Sequence, residues 1–325
     1  MSAMNHPPRR RFLIQSGQAA LGVSLFPLAA CSRPCEATGQ PQDDPPPALI
    51  ADLEARIPGL LAGAHVPGLS MALIRNARVV WSRGFGVMDV VSKAPVTTET
   101  RFEAGSVSKT VFAYAVMKLT EKGVLDLDKP LTKYISERWI TDDPRLDLIT
   151  GRHVLSDTSG LPNWRSNKEP LRIHFAPGSQ WLYSGEGYSY LQLVVAHLTG
   201  RVDPGSCETL FDGVRVCATE IDTYLKTNLL RPFGMSSSGY VWQVPSANTA
   251  AAHDRDGKPR NRPGATPIMA ARYGAAGGLS TTATEYAKFL IEVLVPKPAD
   301  AFRLTRTGRD EIIRPHVKVD ASSSW

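Results

Sequence analysis

From Ser106 the chain reads SVSKTVFAYAVMKLTEKG, and this run limits the possible folds more than any other. It is apolar on nearly every face for about three turns, so a helix built from it is stable only when other elements enclose it. The pattern predicts a helix that opens after Ser106 and ends near Gly123. A lysine inside that helix, Lys109, needs a chemical reason to be there. The chain is large enough to supply the enclosure: 325 residues, 42% hydrophobic and 21% charged, fit one large domain or two closely packed lobes.

Ser106 and Lys109 are three residues apart, which sets their side chains on one helix face about 5–6 Å apart at Cβ. A serine hydroxyl is a weak nucleophile until a neighbour accepts its proton. A lysine one turn on accepts it only in its uncharged form, which burial among Val107, Val111, Phe112 and Ala113 favours. The helix N-terminus adds free N–H groups and the positive end of the dipole, both suited to developing negative charge. A serine in front of a helix is also a good N-cap, so the tetrad has a purely structural reading beside the catalytic one. It is the only S-x-x-K in the sequence. A second stretch, PGSQWLYSGEGYSYLQLVVAHLTG, brings Tyr183 to the head of a helix expected over Gly187–Thr199 and closed by Gly200. A tyrosine facing the serine can shuttle its proton; the same ring can equally pack beside Trp181.

The remaining segments read as follows. Residues 1–31 resemble an export signal: RRRFLIQSG carries paired arginines of the twin-arginine kind, and the apolar stretch ends in LAAC, a lipobox-like tetrad that would leave Cys31 as a lipid-bearing N-terminus. Ser32 follows that cysteine, which in this resemblance points to the outer membrane of a Gram-negative bacterium and a periplasmic location. Three of the six net positive charges are Arg9, Arg10 and Arg11, and no dense basic run follows, so nucleic acid is not an expected partner. Residues 32–47, polar and proline-rich, read as a tether, and residues 48–325 as the folded domain. Leu49, Ile50, Leu53 and Ile57 predict a helix to about Pro58, and GLSMALIR and RVVWSRGFG a hairpin about Asn76-Ala77. A last amphipathic helix begins near Thr282, with Tyr286, Phe289, Leu290 and Val293 on its apolar side. Residues 201–217 look like an insertion, within which Cys207 and Cys217 are close enough to close a short disulfide loop; two free thiols are the alternative. The seven histidines form no H-x-H or H-E-x-x-H, so no metal site is expected, and His153, His174 and His253 read as structural or exposed. No G-x-S-x-G is present, which argues against a nucleophile elbow.

The blocks FEAGSVSKT, LSDTSGLPNW, FAPGSQWLYSGEGYSYLQLVVAHLTG, LLRPFGM and GAAGGLSTTATEYAKFL, in that order, resemble the serine β-lactamase-like family over about Pro58 to Val295. That family includes class C β-lactamases, D-alanyl-D-alanine carboxypeptidases and family VIII esterases. The resemblance implies an α/β (α+β) β-lactamase/transpeptidase-like fold: an antiparallel sheet flanked by helices, with an inserted α-rich lobe and the site between them. It matches the family serine to Ser106, its lysine to Lys109 and its tyrosine to Tyr183, with no metal or organic cofactor. The implied reaction is acyl transfer through an acyl-enzyme on Ser106, with a β-lactam, a peptidoglycan D-Ala peptide or a small ester as substrate.

The sequence departs from the family pattern at three places. Gly185 stands where the tyrosine motif usually ends in asparagine, with Ser184 and Glu186 as the candidate replacements. Asp157 stands where histidine is usual and is assigned no role. The family's third motif, Lys/His-Thr/Ser-Gly, does not occur, so the chain reads as lacking the last strands, with Tyr273-Gly274 and Gly277-Gly278 the only stand-ins for an oxyanion donor. The alternative reading is accordingly a catalytically inactive remnant or binding protein of the same fold. The oligomeric state is not set by the sequence.

Overall fold

A computed structural model describes residues 44–166, 168–209, 215–240, 247–260 and 267–320. The expected signal, Cys31 and nearly all of the tether therefore lie outside the described residues. Helix α1 spans Pro47–Gly63, with proline in its first turn, where no N–H is needed. It runs on past Pro58, where the sequence suggested an end. This outer face is exposed, so water can satisfy the carbonyl that the proline ring leaves free. Strands β1 (Gly68–Arg75) and β2 (Arg78–Gly86) pair antiparallel. Asn76 and Ala77, at φ 49° and 57°, make the tight turn expected between them.

After the short strand β3 (Phe102–Glu103) comes helix α2, Ser108–Glu121, entered through a 3-10 turn over Gly105–Val107. Gly105 sits at φ 52°, a conformation that costs an L residue about 1–2 kcal/mol. The enclosure demanded by the sequence is realised: Val111, Phe112, Val116 and Leu119 are buried in the main core. Lys118, the helix's other lysine, is buried too. It pairs with Glu121 at 3.1 Å and donates to the carbonyls of Asp300 and Arg303.

A helical layer supplies the opposite wall of this core. It holds α3 (Gly151–Leu155), α4 (Gly185–Leu198), α5 (Asp222–Leu225), a further helical turn over Lys226–Leu230, and α6 (Pro267–Gly277). Trp139 stacks on Tyr190 at 5.7 Å in its centre. The insertion of residues 201–217 is a hairpin, β4 (Val202–Thr209) with β5 (Arg215–Thr219), and Cys207 and Cys217 are bonded across it. Closing so short a loop is worth about 2–3 kcal/mol in the chain-entropy picture. Gln192 of α4 ties this hairpin to α6: its Nε2 donates to Thr219 Oγ1 (2.8 Å) and its Oε1 accepts from Ala275 N (2.5 Å). Strand β6 (Ser280–Thr281) pairs with β3, and Thr282 caps α7 (Ala283–Leu294), which lies on the β1–β2 hairpin. Helix α8, Arg306–Ile313, had no counterpart in the sequence reading. Among the described residues the strands form three antiparallel pairs rather than one broad sheet.

Candidate active site

The two serines of SVSK have opposite fates. Ser108 is fully buried; its Oγ donates to Gly105 O (2.5 Å) and accepts from Leu279 N (2.9 Å), joining the head of α2 to the approach to β6. Ser106, in the 3-10 turn, is exposed and caps nothing; its Oγ meets Lys109 Nζ at 3.2 Å. The N-cap reading of Ser106 therefore fails. Lys109 is 5% exposed, and its Nζ also lies 3.0 Å from Tyr183 OH and 3.0 Å from Ala276 O. The structure thus brings together the three residues singled out from the sequence. It adds a fourth group, the Ala276 carbonyl, which no residue type could have announced.

This geometry limits what the protons can do. A carbonyl only accepts, so one N–H of Lys109 is committed to Ala276. A charged ammonium then donates to both hydroxyls. An uncharged amine has one N–H and one lone pair left, so one hydroxyl must donate to nitrogen while the other accepts from it. The trio therefore holds a proton relay from Ser106 Oγ through Lys109 to Tyr183 with no rearrangement of heavy atoms. The rings of Tyr183 and Tyr188 lie 4.8 and 5.3 Å from Nζ and close off the rest of its surroundings.

Neither candidate for the missing asparagine takes its place. Glu186 accepts from Trp139 Nε1 (3.1 Å), Arg165 N (3.1 Å) and Arg165 Nε (3.0 Å), and its buried ion pair with Arg165 is 2.9 Å long. Ser184 Oγ donates to Pro162 O and caps α4 by accepting from Gly187 N. The position itself is full: a Cβ on Gly185 would stand 2.5 Å from Asn163 O and 2.6 Å from the Trp164 ring. Trp164, packed edge-on against Tyr273 at 5.0 Å, fills that space. Gly185→Asn is expected to lower stability by about 1–3 kcal/mol by overpacking, read as a drop in the thermal midpoint. Of the residues offered as oxyanion donors, Gly278 N is already committed, donating to Gly274 O at 2.7 Å, and Tyr273, Gly274 and Gly277 lie within helix α6.

The histidines are structural or exposed, as expected: His153 Nδ1 accepts from Thr150 N, His253 accepts from Val90 N, and His174 faces solvent. Asp157, by contrast, gains a place. Burial pushes its carboxyl up to about 6 against the lowering effects of the Ser184 N–H and Lys109. Because the folded protein holds this proton more tightly than the unfolded chain, the stability it gives is complete below the unfolded value of about 3.8. That stability is lost as pH rises through about 6. Allowing for solvent screening, the loss amounts to about 1–3 kcal/mol. Asp157→Asn is expected to remove that pH dependence and to raise the unfolding midpoint above pH 6, as measured by thermal melts from pH 4 to 8.

The family model described as Beta-lactamase matches residues 53–315. The chain belongs to the beta-lactamase family. Among curated proteins, this beta-lactamase family member is 27% identical over 258 residues to Esterase EstB of Burkholderia gladioli, covering 70% of this chain and 61% of the esterase. It is 22% identical over 226 residues to Protein flp of Staphylococcus aureus, covering 64% of this chain and 41% of that protein. The chain thus spans about two fifths of the length of the flp proteins. Among solved structures it resembles the D-alanine carboxypeptidase AmpC of Burkholderia cenocepacia, with a TM-score of 0.61 and 21% identity, over 82% of this chain and 68% of that one. That likeness shows the β-lactamase/transpeptidase-like fold which the sequence implied.

Proposed function

We propose that this family member is an exported serine hydrolase that forms an acyl-enzyme on Ser106. The observation that carries the reading is a nearly buried lysine amine within hydrogen-bonding distance of both an exposed serine hydroxyl and a tyrosine hydroxyl. In the first half-reaction Ser106 Oγ bonds to the substrate carbonyl carbon and its proton passes to the Lys109–Tyr183 pair. The tetrahedral intermediate then breaks its bond to the leaving group, which departs with that proton. In the second half water attacks the acyl-serine and gives a proton to the same pair; the bond between Ser106 Oγ and the acyl carbon then breaks, Oγ takes that proton back, and the acid is freed. Val107 N and Ser108 N donate to the Ala104 and Gly105 carbonyls within the turn, so what the head of α2 offers the developing oxyanion is the positive end of its dipole.

Small esters are the favoured substrates, ahead of β-lactams and D-Ala peptides. Two observations support that order: the asparagine position is a glycine closed off by Trp164, and the curated relatives include an esterase. A groove of about 320 Å³, lined by Leu69, Phe102, Ala104, Val107 and Tyr286, flanks the serine turn and suits an apolar acyl or alcohol group. Export rests on RRRFLIQSG and LAAC, with lipidation of Cys31 as anchor and the periplasm as destination; the Cys207–Cys217 bond suits an oxidising compartment. The test is labelling with a fluorophosphonate and a fluorescent penicillin, followed by turnover of p-nitrophenyl acetate and nitrocefin. Labelling at Ser106 with faster ester than nitrocefin turnover is the expected result. An unlabelled serine would leave an inactive member of the fold.

A further inference from the structure

The proton relay works only if the Tyr183 hydroxyl stays within reach of Lys109, yet Tyr183 lies in a loop, just before the cap of α4. Asp157, one residue beyond the C-cap Ser156 of the short helix α3, lies against that loop. Its carbonyl oxygen accepts from Leu182 N at 2.8 Å, and its carboxylate Oδ1 accepts from Ser184 N at 3.1 Å. One residue therefore holds the backbone on both sides of the tyrosine. The backbone of Asp157 itself is at φ 54°, in the left-handed region that aspartate, asparagine and glycine enter most readily. That conformation lets carbonyl and carboxylate face the same strand of loop. The titratable groups around the carboxyl are Lys109 from α2, and Tyr188 from α4, whose own ionisation the carboxylate opposes.

We infer that Asp157 is the positioning residue of this site, a two-point clamp that holds Tyr183 in register with Lys109 and Ser106. The inference rests on the acyl-enzyme reading above and goes beyond it, because Asp157 touches neither substrate nor reacting atom. The carboxylate leg is the expensive one. A partly buried anion opposes folding above pH 6, whereas a neutral acceptor at the same place would not, so the hydrogen bond and the charge can be separated by substitution.

Two substitutions separate the acceptor from the charge. Asp157→Gly keeps the left-handed backbone and the carbonyl leg but deletes the side-chain leg; Asp157→Asn keeps an oxygen acceptor and deletes only the charge. With p-nitrophenyl acetate, Asp157→Gly is expected to lower kcat about 10- to 100-fold with KM changed less than about threefold, the signature of a misplaced proton carrier. Asp157→Asn is expected to recover most of that loss. A second readout does not depend on turnover: the 13Cζ resonance of Tyr183 in tyrosine-labelled protein, assigned with Tyr183→Phe. It should be sharp in the parent and in Asp157→Asn, and broadened or doubled in Asp157→Gly. If the glycine variant fails to fold, Asp157→Ala makes the same side-chain deletion, with about 1–2 kcal/mol of backbone strain added at φ 54°. Parent-like kcat together with a parent-like Tyr183 resonance in the deletion variant overturns the clamp. If the parent protein itself neither labels nor turns over, the acyl-enzyme reading falls, and the linewidth alone decides whether Asp157 positions Tyr183.

Discussion

Ser106→Ala is expected to abolish covalent labelling by fluorophosphonate and penicillin probes and to reduce ester turnover by about 10³-fold or more, with folding unchanged. The size follows from chemistry: alanine leaves no oxygen to carry the acyl group, so only binding and the oxyanion environment remain. The near-zero folding effect follows from exposure. Ser106 Oγ has Lys109 as its hydrogen-bond partner and caps no helix, and surface changes of this kind usually stay within about 0.5 kcal/mol. Ser108→Ala supplies the opposite pattern. It should keep the label, yet lose about 1–3 kcal/mol, because a buried Leu279 N–H is left without its acceptor. Intact-mass spectrometry of labelled protein beside thermal melts reads both. Labelled Ser106→Ala protein would remove Ser106 from the mechanism.

Lys109→Met is expected to lower the acylation rate by about 10²–10⁴-fold, the range supplied by a positioned proton acceptor. Methionine fills most of the lysine's volume in a buried site, so the packing of α2 against the helical layer should survive. The Ala276 carbonyl and the Tyr183 hydroxyl lose a partner, and about 1–3 kcal/mol of stability should go with them. Substrate affinity should change little, because Lys109 is shielded and the groove beside Val107 is untouched. Single-turnover burst kinetics separates these effects: a slow burst of full amplitude places Lys109 in acylation, whereas an unchanged burst rate assigns it to structure alone.

The Ser106–Lys109–Tyr183 trio was legible because its members sit on or beside strongly patterned segments. An apolar helix with one lysine at its head sets Ser106 and Lys109 on a common face, and the second helix follows directly on the loop that carries Tyr183. The Cys207–Cys217 pairing was legible as a short closure, though not as the two-stranded hairpin that contains it. What stayed hidden depends on partners far apart in sequence. SVSK gives no reason for Ser108 rather than Ser106 to turn inward; that is decided by Leu279, 171 residues away. Asp157 reaches Ser184 across 27 residues and belongs to no periodic pattern. Ala276 contributes a carbonyl, which any residue carries. Glu186 looked available to Lys109 until Arg165 and Trp139 were seen to hold it.

The occupied space over Gly185 bears on how this lineage could change its chemistry. An amide at 185 meets two obstacles, the backbone carbonyl oxygen of Asn163 2.5 Å from the place of its Cβ and the indole of Trp164 at 2.6 Å. A smaller residue at 164 clears only the indole, exposing a gap and costing packing against Tyr273, and leaves the Asn163 carbonyl in place. The mutational path toward the more usual motif is therefore uphill whichever of the two positions changes first. Directed-evolution libraries that vary 164 and 185, alone or together, should miss it unless the backbone at Asn163 can also shift.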